Sequence, residues 1–167
     1  SALAEAEVEY QDKVSKSIDV AFKVDEESID KIKTVFGFSE NESISFIIWT
    51  TTPWTIPSNV AVCINPDLEY TLIKIDNSFH IIADSMIESC SDRWVLKIKK
   101  ISTVKGQELQ DIDLIHPFID RKSKLLHADH VTTDAGTGCV HTAPAHGMDD
   151  FLICKKNLCN NTPSDDL

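Results

Sequence analysis

Ser43 to Trp49 is a largely apolar, β-branched run that delivers three consecutive threonines, Thr50, Thr51 and Thr52, against Pro53. A buried strand is the natural reading of the run, and proline, with no N–H for a ladder, ends it there. Successive hydroxyls at a strand end point in different directions, so at least one faces a cleft, where it can donate to or accept from a ligand or a water. Pro53 and Pro57 stiffen the turn that follows. Trp54 lies between them as a candidate pocket wall, and Asn59 adds a group that both donates and accepts. Threonine also favours strands for packing reasons alone, so the run carries function only through what accompanies it.

What accompanies it is a second polar segment, Gly136-Thr137-Gly138-Cys139-Val140-His141-Thr142-Ala143-Pro144-Ala145-His146-Gly147-Met148-Asp149-Asp150. Gly136-Thr137-Gly138 lets backbone N–H groups approach an anionic or planar ligand, and equally makes a plain turn. No third glycine follows for a dinucleotide fingerprint, and no Gly-Lys-Ser/Thr marks a P-loop. His141, His146, Asp149 and Asp150 invite a metal reading. The five-residue histidine spacing, with Pro144 between, does not put both on one helix face. No metal is therefore expected. Asp149 or Asp150 can also cap a closing helix through Phe151 to Lys156.

The remaining chain reads as strands with short helices between. Ile18, Val20, Phe22 and Val24 alternate with Ser17, Asp19, Ala21 and Lys23, the period of a half-buried strand. Asp25 to Val35 has helical spacing and stops at Gly37. Val60 to Ile64 is a strand. Tyr70 to Ile75 and Phe79 to Ala83 flank the turn Asp76-Asn77-Ser78. Ser85 and Glu88 form a capping box for a helix to about Asp92. Trp94 to Ile101 and Leu125 to Thr132 read as further strands, the latter followed by the turn Asp134-Ala135-Gly136. There is no βαβ alternation and no repeat. The expected fold is β-rich α+β, barrel-like, in a single domain over residues 1–167, with 157–167 as an irregular tail.

Composition narrows the function. A net charge of −11 argues against gripping long stretches of phosphate backbone. The one basic cluster, Lys97, Lys99, Lys100 and Lys105, is the natural landing place for a phosphate, and otherwise a solvated face. Five cysteines, an odd number at spacings of neither a zinc ribbon nor a redox pair, point to free thiols in a reducing compartment. No apolar run approaches a membrane span. Ala2 to Tyr10 carries three glutamates and no basic start, so it does not read as a secretory signal. The expectation is a cytoplasmic protein without membrane contact. His127 and His130 read as structural or exposed, and His80 and His116 belong to no constellation.

The strings Trp-Thr-Thr-Thr-Pro-Trp-Thr-x-Pro-x-Asn, from Trp49, and Gly-Thr-Gly-x-Val-His-Thr-Ala-Pro-x-His-Gly-x-Asp-Asp, from Gly136, resemble the two segments that mark the editing domain of isoleucyl-tRNA synthetases. Ala2 to Tyr10 and Ser17 to Phe22 are similar to the stretch where that domain leaves the catalytic core. Thr52 and His141 separate the chain from the valine and leucine relatives. The resemblance covers Ala2 to about Phe151. It implies an excised β-rich domain of a larger enzyme, whose synthetic site, with its ATP and Mg, lies elsewhere. It implies hydrolysis of valine from mischarged isoleucine tRNA, with no cofactor in this domain. The implied partners are the 3′ end of that tRNA and the rest of the parent synthetase, with a monomer as the default state.

Roles follow from the same resemblance. Asp150 would bind the substrate α-ammonium. Thr51 and Thr52 would hold the amino-acid moiety and the attacking water, with Thr50 and Thr55 as further substrate contacts. Asn59 would support the water or the ribose. His141 would line the amino-acid pocket and exclude isoleucine, and Trp54 would wall it. Gly136, Thr137 and Gly138 would cradle the terminal adenosine, with His146 behind.

Overall fold

The computed structural model describes residues 17–143. Its strands are β1 (Ile18–Val24), β2 (Ile44–Thr50), β3 (Ala61–Ile64), β4 (Glu69–Ile75), β5 (Ser78–Ala83), β6 (Lys99–Lys105), β7 (Asp113–Ile115), β8 (Lys122–His127) and β9 (Val140–Thr142). They form one nine-stranded sheet in the order β6-β4-β5-β2-β1-β7-β8-β3-β9. The β2–β5 and β3–β8 pairs are parallel and the other pairs antiparallel. The β-rich α+β expectation holds. The ladder does not close into a barrel; among the described residues it ends on two edges, β6 and β9.

Local chemistry accounts for the elements. In β1 the inward positions Phe22 and Val24 are buried while Ala21 and Lys23 face out, as the period of two requires. Helix α1 (Glu26–Phe36) carries Glu26 and Glu27 in its first turn, where the helix dipole favours anions. It stops at Gly37, which adopts φ 66°. The N–H groups of Gly37 and Phe38 return to Thr34 O and Lys33 O, satisfying two carbonyls at the helix end. Helix and sheet meet in one main core in which Phe22, Ile32, Phe46, Ile48, Leu72 and Ile81 are fully buried.

Four expectations change. The capping box does not form: helix α2 (Ile87–Trp94) follows a 3-10 turn at Asp84–Met86, and no side chain caps it. The Asp84 carboxylate instead accepts the Thr71 hydroxyl at 2.7 Å and pairs with Lys100 at 3.0 Å. Trp94 is not in a strand but closes α2, because Asp19 on β1 accepts from both Arg93 (2.6 Å) and the Trp94 indole (2.9 Å). The strand begins only at Lys99. The Leu125–Thr132 strand is displaced toward the N-terminus and ends at His127; beyond it, Asn65 Nδ2 donates to Val131 O at 2.9 Å. The turn of the β4–β5 hairpin is tighter than expected, since Ser78 already pairs with Ile75 and Asp76 takes φ 52°. Strands β7 and β9 were not foreseen, and the helix expected over 151–156 lies outside the described residues.

Candidate functional site

Strand β2 ends in a buried Thr50. Thr52 N–H donates to the Thr50 hydroxyl at 3.0 Å, which bends the chain out of the sheet at the threonines. Pro53 then opens a 3-10 helix, Pro53–Ser58, at the position where a missing N–H costs nothing. Short 3-10 turns repeat every three residues. The face that turns inward carries Thr55 and Ile56, both buried, and leaves Trp54 pointing outward at 70 % exposure.

His141 enters from β9, the far edge of the sheet, where it pairs with Val62 on β3. Its ring is held at both nitrogens. Thr55 Oγ1 lies 2.7 Å from Nε2, and Asn59 Nδ2 lies 2.7 Å from Nδ1. The fully buried Asn59 amide also donates to Ala61 O at 2.9 Å and accepts from the Ser123 hydroxyl. The Thr55 hydroxyl donates to Thr52 O at 2.8 Å. A chain of hydrogen bonds thus runs from Ser123 on β8 to the threonines at the end of β2.

These groups face an open cleft of about 360 Å³. Trp49, Thr50, Thr51, Thr52, Thr55 and His141 line it, together with His130, Thr132, Asp134 and Ala135. The threonine run and His141 therefore come together as expected, and Asn59 stands behind His141. His146, Asp149 and Asp150 lie outside the described residues, and with them the carboxylate expected at the site and two members of the rival His141–His146–Asp150 metal set.

Two expectations about the walls change. Trp54 does not line the cleft; Trp49 does, for the reason of period given above. Gly136, Thr137 and Gly138 also do not line it. They are buried beneath the wall, and their carbonyls serve the protein itself. Gly136 O accepts from Cys90 (3.4 Å), Thr137 O from Ala83 N–H (2.8 Å) and Gly138 O from Tyr70 (2.5 Å). The Thr137 hydroxyl donates to Ile47 O at 2.6 Å. Both glycines adopt φ 82°, and a Cβ on Gly136 would press on the Trp49 ring at 3.0 Å. The glycine loop is thus the mount of β9 and the backing of Trp49. Burial pushes the Tyr70 phenol and the Cys139 thiol far above their ordinary values, so both stay neutral.

Sequence reasoning missed His130, which it took as structural or exposed, and Asp134, which it took only as a turn residue. Both sit on a loop whose path back to the threonines is set by tertiary contacts. It also missed Ser123, a polar residue fully buried in β8. That inward-facing hydroxyl, among Leu125 and Leu126, is the one signal that could have found it. His116 proves to be a structural tie: Nε2 donates to Ile56 O at 2.7 Å, and Nδ1 accepts from Phe118 and Ile119 N–H. Among the described residues no helix is long and apolar enough to cross a membrane.

No family model matches the chain. Curated relatives do. An isoleucine–tRNA ligase of Francisella tularensis subsp. tularensis is 49% identical over 159 residues, covering 94% of this chain and 17% of that protein. An isoleucine–tRNA ligase of Macrococcus caseolyticus is 48% identical over 159 residues, covering 93% of this chain and 16% of its own length. The chain thus spans only a minor part of the relatives it matches. Among solved structures, GlLeuRS-CP1 superposes with a TM-score of 0.73 at 16% identity, covering 89% of this chain and 62% of that one. The P. falciparum cytosolic leucyl-tRNA synthetase editing domain follows the same course, with a TM-score of 0.66, 13% identity and coverage of 88% and 67%. By sequence the chain belongs to the isoleucine–tRNA ligases, of which it matches one segment, and it carries that segment on the fold of the leucyl-tRNA synthetase editing domains.

Proposed function

We propose that this domain hydrolyses valine from mischarged isoleucine tRNA, the proofreading step of an isoleucine–tRNA ligase. The observation that carries the reading is the cleft itself. Five threonines and a histidine held at both nitrogens line a volume suited to a small ligand, in a chain that matches isoleucine–tRNA ligases over nearly its whole length. Such a step is needed because one methylene is worth only about 1–3 kcal/mol in an apolar pocket, a range in which isoleucine against valine is itself a standard example.

In this reading, water adds to the ester carbonyl. The bond to the ribose oxygen breaks, and valine leaves with the new oxygen while the proton passes to the ribose. Thr51 and Thr52 hold the water and the amino-acid moiety, with Thr50 and Thr55 beside them. His141 bounds the side-chain pocket and admits valine but not isoleucine. Asp150 pairs with the α-ammonium of the substrate. Catalysis comes from positioning and fixed dipoles, without a metal or a covalent intermediate. ATP and Mg serve the parent enzyme elsewhere. The partners are the 3′ end of the tRNA and the rest of the synthetase, in the cytoplasm, with the protein acting as a monomer.

The test is release of valine and of isoleucine from charged isoleucine tRNA by the full-length protein, beside Asp150→Ala and after exhaustive chelation. Selective valine release that Asp150→Ala abolishes and chelation spares supports the reading. Binding without turnover would leave a module that only holds aminoacyl-tRNA ends. Activity lost on chelation and restored by zinc would make it a metal hydrolase.

A further inference from the structure

Asn59 touches the cleft only through His141, yet the fold holds it with unusual thoroughness. Its side chain and its main chain are both gripped from β8. Arg121, just before that strand, donates to Asn59 O and, at 2.8 Å, to Pro57 O, which fixes the exit of the 3-10 helix. Ser123, fully buried and absent from the cleft lining, donates to Asn59 Oδ1. Lys124 N–H, next along β8, donates to Val60 O at 3.2 Å.

Among the described residues the donors and acceptors permit one self-consistent arrangement. Ala61 O can only accept, so the nitrogen of the Asn59 amide must face it. The amide oxygen is then left to Ser123, whose hydroxyl supplies the proton. The second amide hydrogen points at His141 Nδ1, which must present a lone pair. The ring proton therefore sits on Nε2 and points at Thr55 Oγ1, whose own hydrogen is committed to Thr52 O. A buried serine outside the cleft thus completes the set of bonds that fixes which face of the imidazole is acidic and which is basic.

We propose that Ser123 is a positioning residue of this site, acting through Asn59 to hold His141 in its Nε2–H form. Its kinetic consequence rests on the hydrolase reading given above; its effect on the imidazole does not. Without the Ser123 hydroxyl the Asn59 oxygen is buried with no donor, a state that costs enough to loosen the amide. His141 then samples both tautomers, and Thr55 receives the ring proton only part of the time.

The experiment is long-range proton–nitrogen NMR of the histidine-labelled chain, with the His141 signals assigned by their loss in His141→Gln, for the wild type, Ser123→Ala and Ser123→Cys. The same serine substitutions are followed for valine release by the full-length protein. The wild type is expected to show a protonated Nε2 and a bare Nδ1. Ser123→Ala is expected to mix the tautomers and to lower kcat about fivefold with KM unchanged. Ser123→Cys, with a weaker donor, is expected to fall between.

A wild-type Nδ1–H form would overturn the proposal, and that arm needs no variant to fold. A Ser123→Ala protein that melts earlier but keeps both the tautomer and kcat would overturn it too, leaving Ser123 a packing residue. A wild type that hydrolyses neither ester, while Ser123→Ala still scrambles the tautomer, would sink the hydrolase reading and uphold the positioning of His141.

Discussion

Asn59 and His141, 82 residues apart in sequence, meet with Nδ2 and Nδ1 2.7 Å apart in a buried pocket of the sheet. The amide is the donor in this pair, so the imidazole presents a lone pair to the interior. Asn59→Asp replaces that donor with a carboxylate oxygen. The new charge favours a proton on Nδ1, and the expected outcome is a raised His141 titration midpoint. NMR titration of the ring measures it, and valine release should fall in parallel. An unmoved midpoint would mean that Asn59 does not govern the ring.

Gly138 tolerates replacement poorly. It combines φ 82° with a position where a Cβ would collide with that of Ala83. Gly138→Ala should cost about 2 kcal/mol or more. Gly37, with φ 66° and nothing within 4 Å of its missing Cβ, should cost only about 1 kcal/mol as alanine. Urea unfolding of the two variants checks both the size and the order.

Val95 offers the opposite case. A β-branched residue at φ 54°, 85% exposed, it ends α2 where glycine is preferred. Val95→Gly gives up almost no packing and relieves the backbone, so a gain of about 1 kcal/mol is expected. A lower unfolding midpoint would show that the side chain is doing something its exposure does not reveal.

Asp84 sets an acid limit. The Thr71 hydroxyl and then Lys100 hold its carboxyl below the ordinary value of 3.8. A carboxylate with a lowered folded value stabilises the fold fully above its ordinary range. That contribution fades as pH falls from there through the lowered value. Asp84→Asn should therefore reduce stability at about pH 6 and lose less on going to about pH 3 than the wild type does. Denaturant midpoints at the two pH values decide it.

Cys90 and Cys139 are buried, and burial pushes both thiols up. Thiolates being the reactive form, neither should be alkylated at neutral pH while the fold is intact. Peptide mapping after brief iodoacetamide treatment, with and without denaturant, would expose a violation.

Much of the fold could be read from the chain where a local pattern coincided with the global one. Alternation gave β1, Gly37 gave the end of α1, and the Asp76-Asn77-Ser78 turn gave its hairpin, one residue too wide. The failures have tertiary causes. Trp94 looked like a strand residue, but Asp19 draws it and Arg93 into a helix. Trp54 looked like a wall because it lies between Pro53 and Pro57, but the period of a 3-10 turn sends it outward, and Trp49 lines the cleft. The threonines and His141 were legible as residues of one polar cleft because polar groups clustered there had no use in a core. The glycine loop was legible as special but not in its purpose: its φ angles were foreseeable, the burial of its carbonyls was not. Ser123 left almost no trace, since a single serine in a strand is ordinary until its partner is known.

Strand β9 is three residues long and, among the described residues, pairs with β3, and it carries half of the His141 pairing with the threonine turn. Contacts between such distant parts of a chain form late, because the loop they close must be ordered first. During synthesis the β2 threonines can settle against the Pro53 turn long before His141 has left the ribosome, whereas Asn59 waits for Ser123 on β8. A folding intermediate can thus hold most of the sheet and still lack a cleft, and local opening at this edge would switch the site off without unfolding the domain.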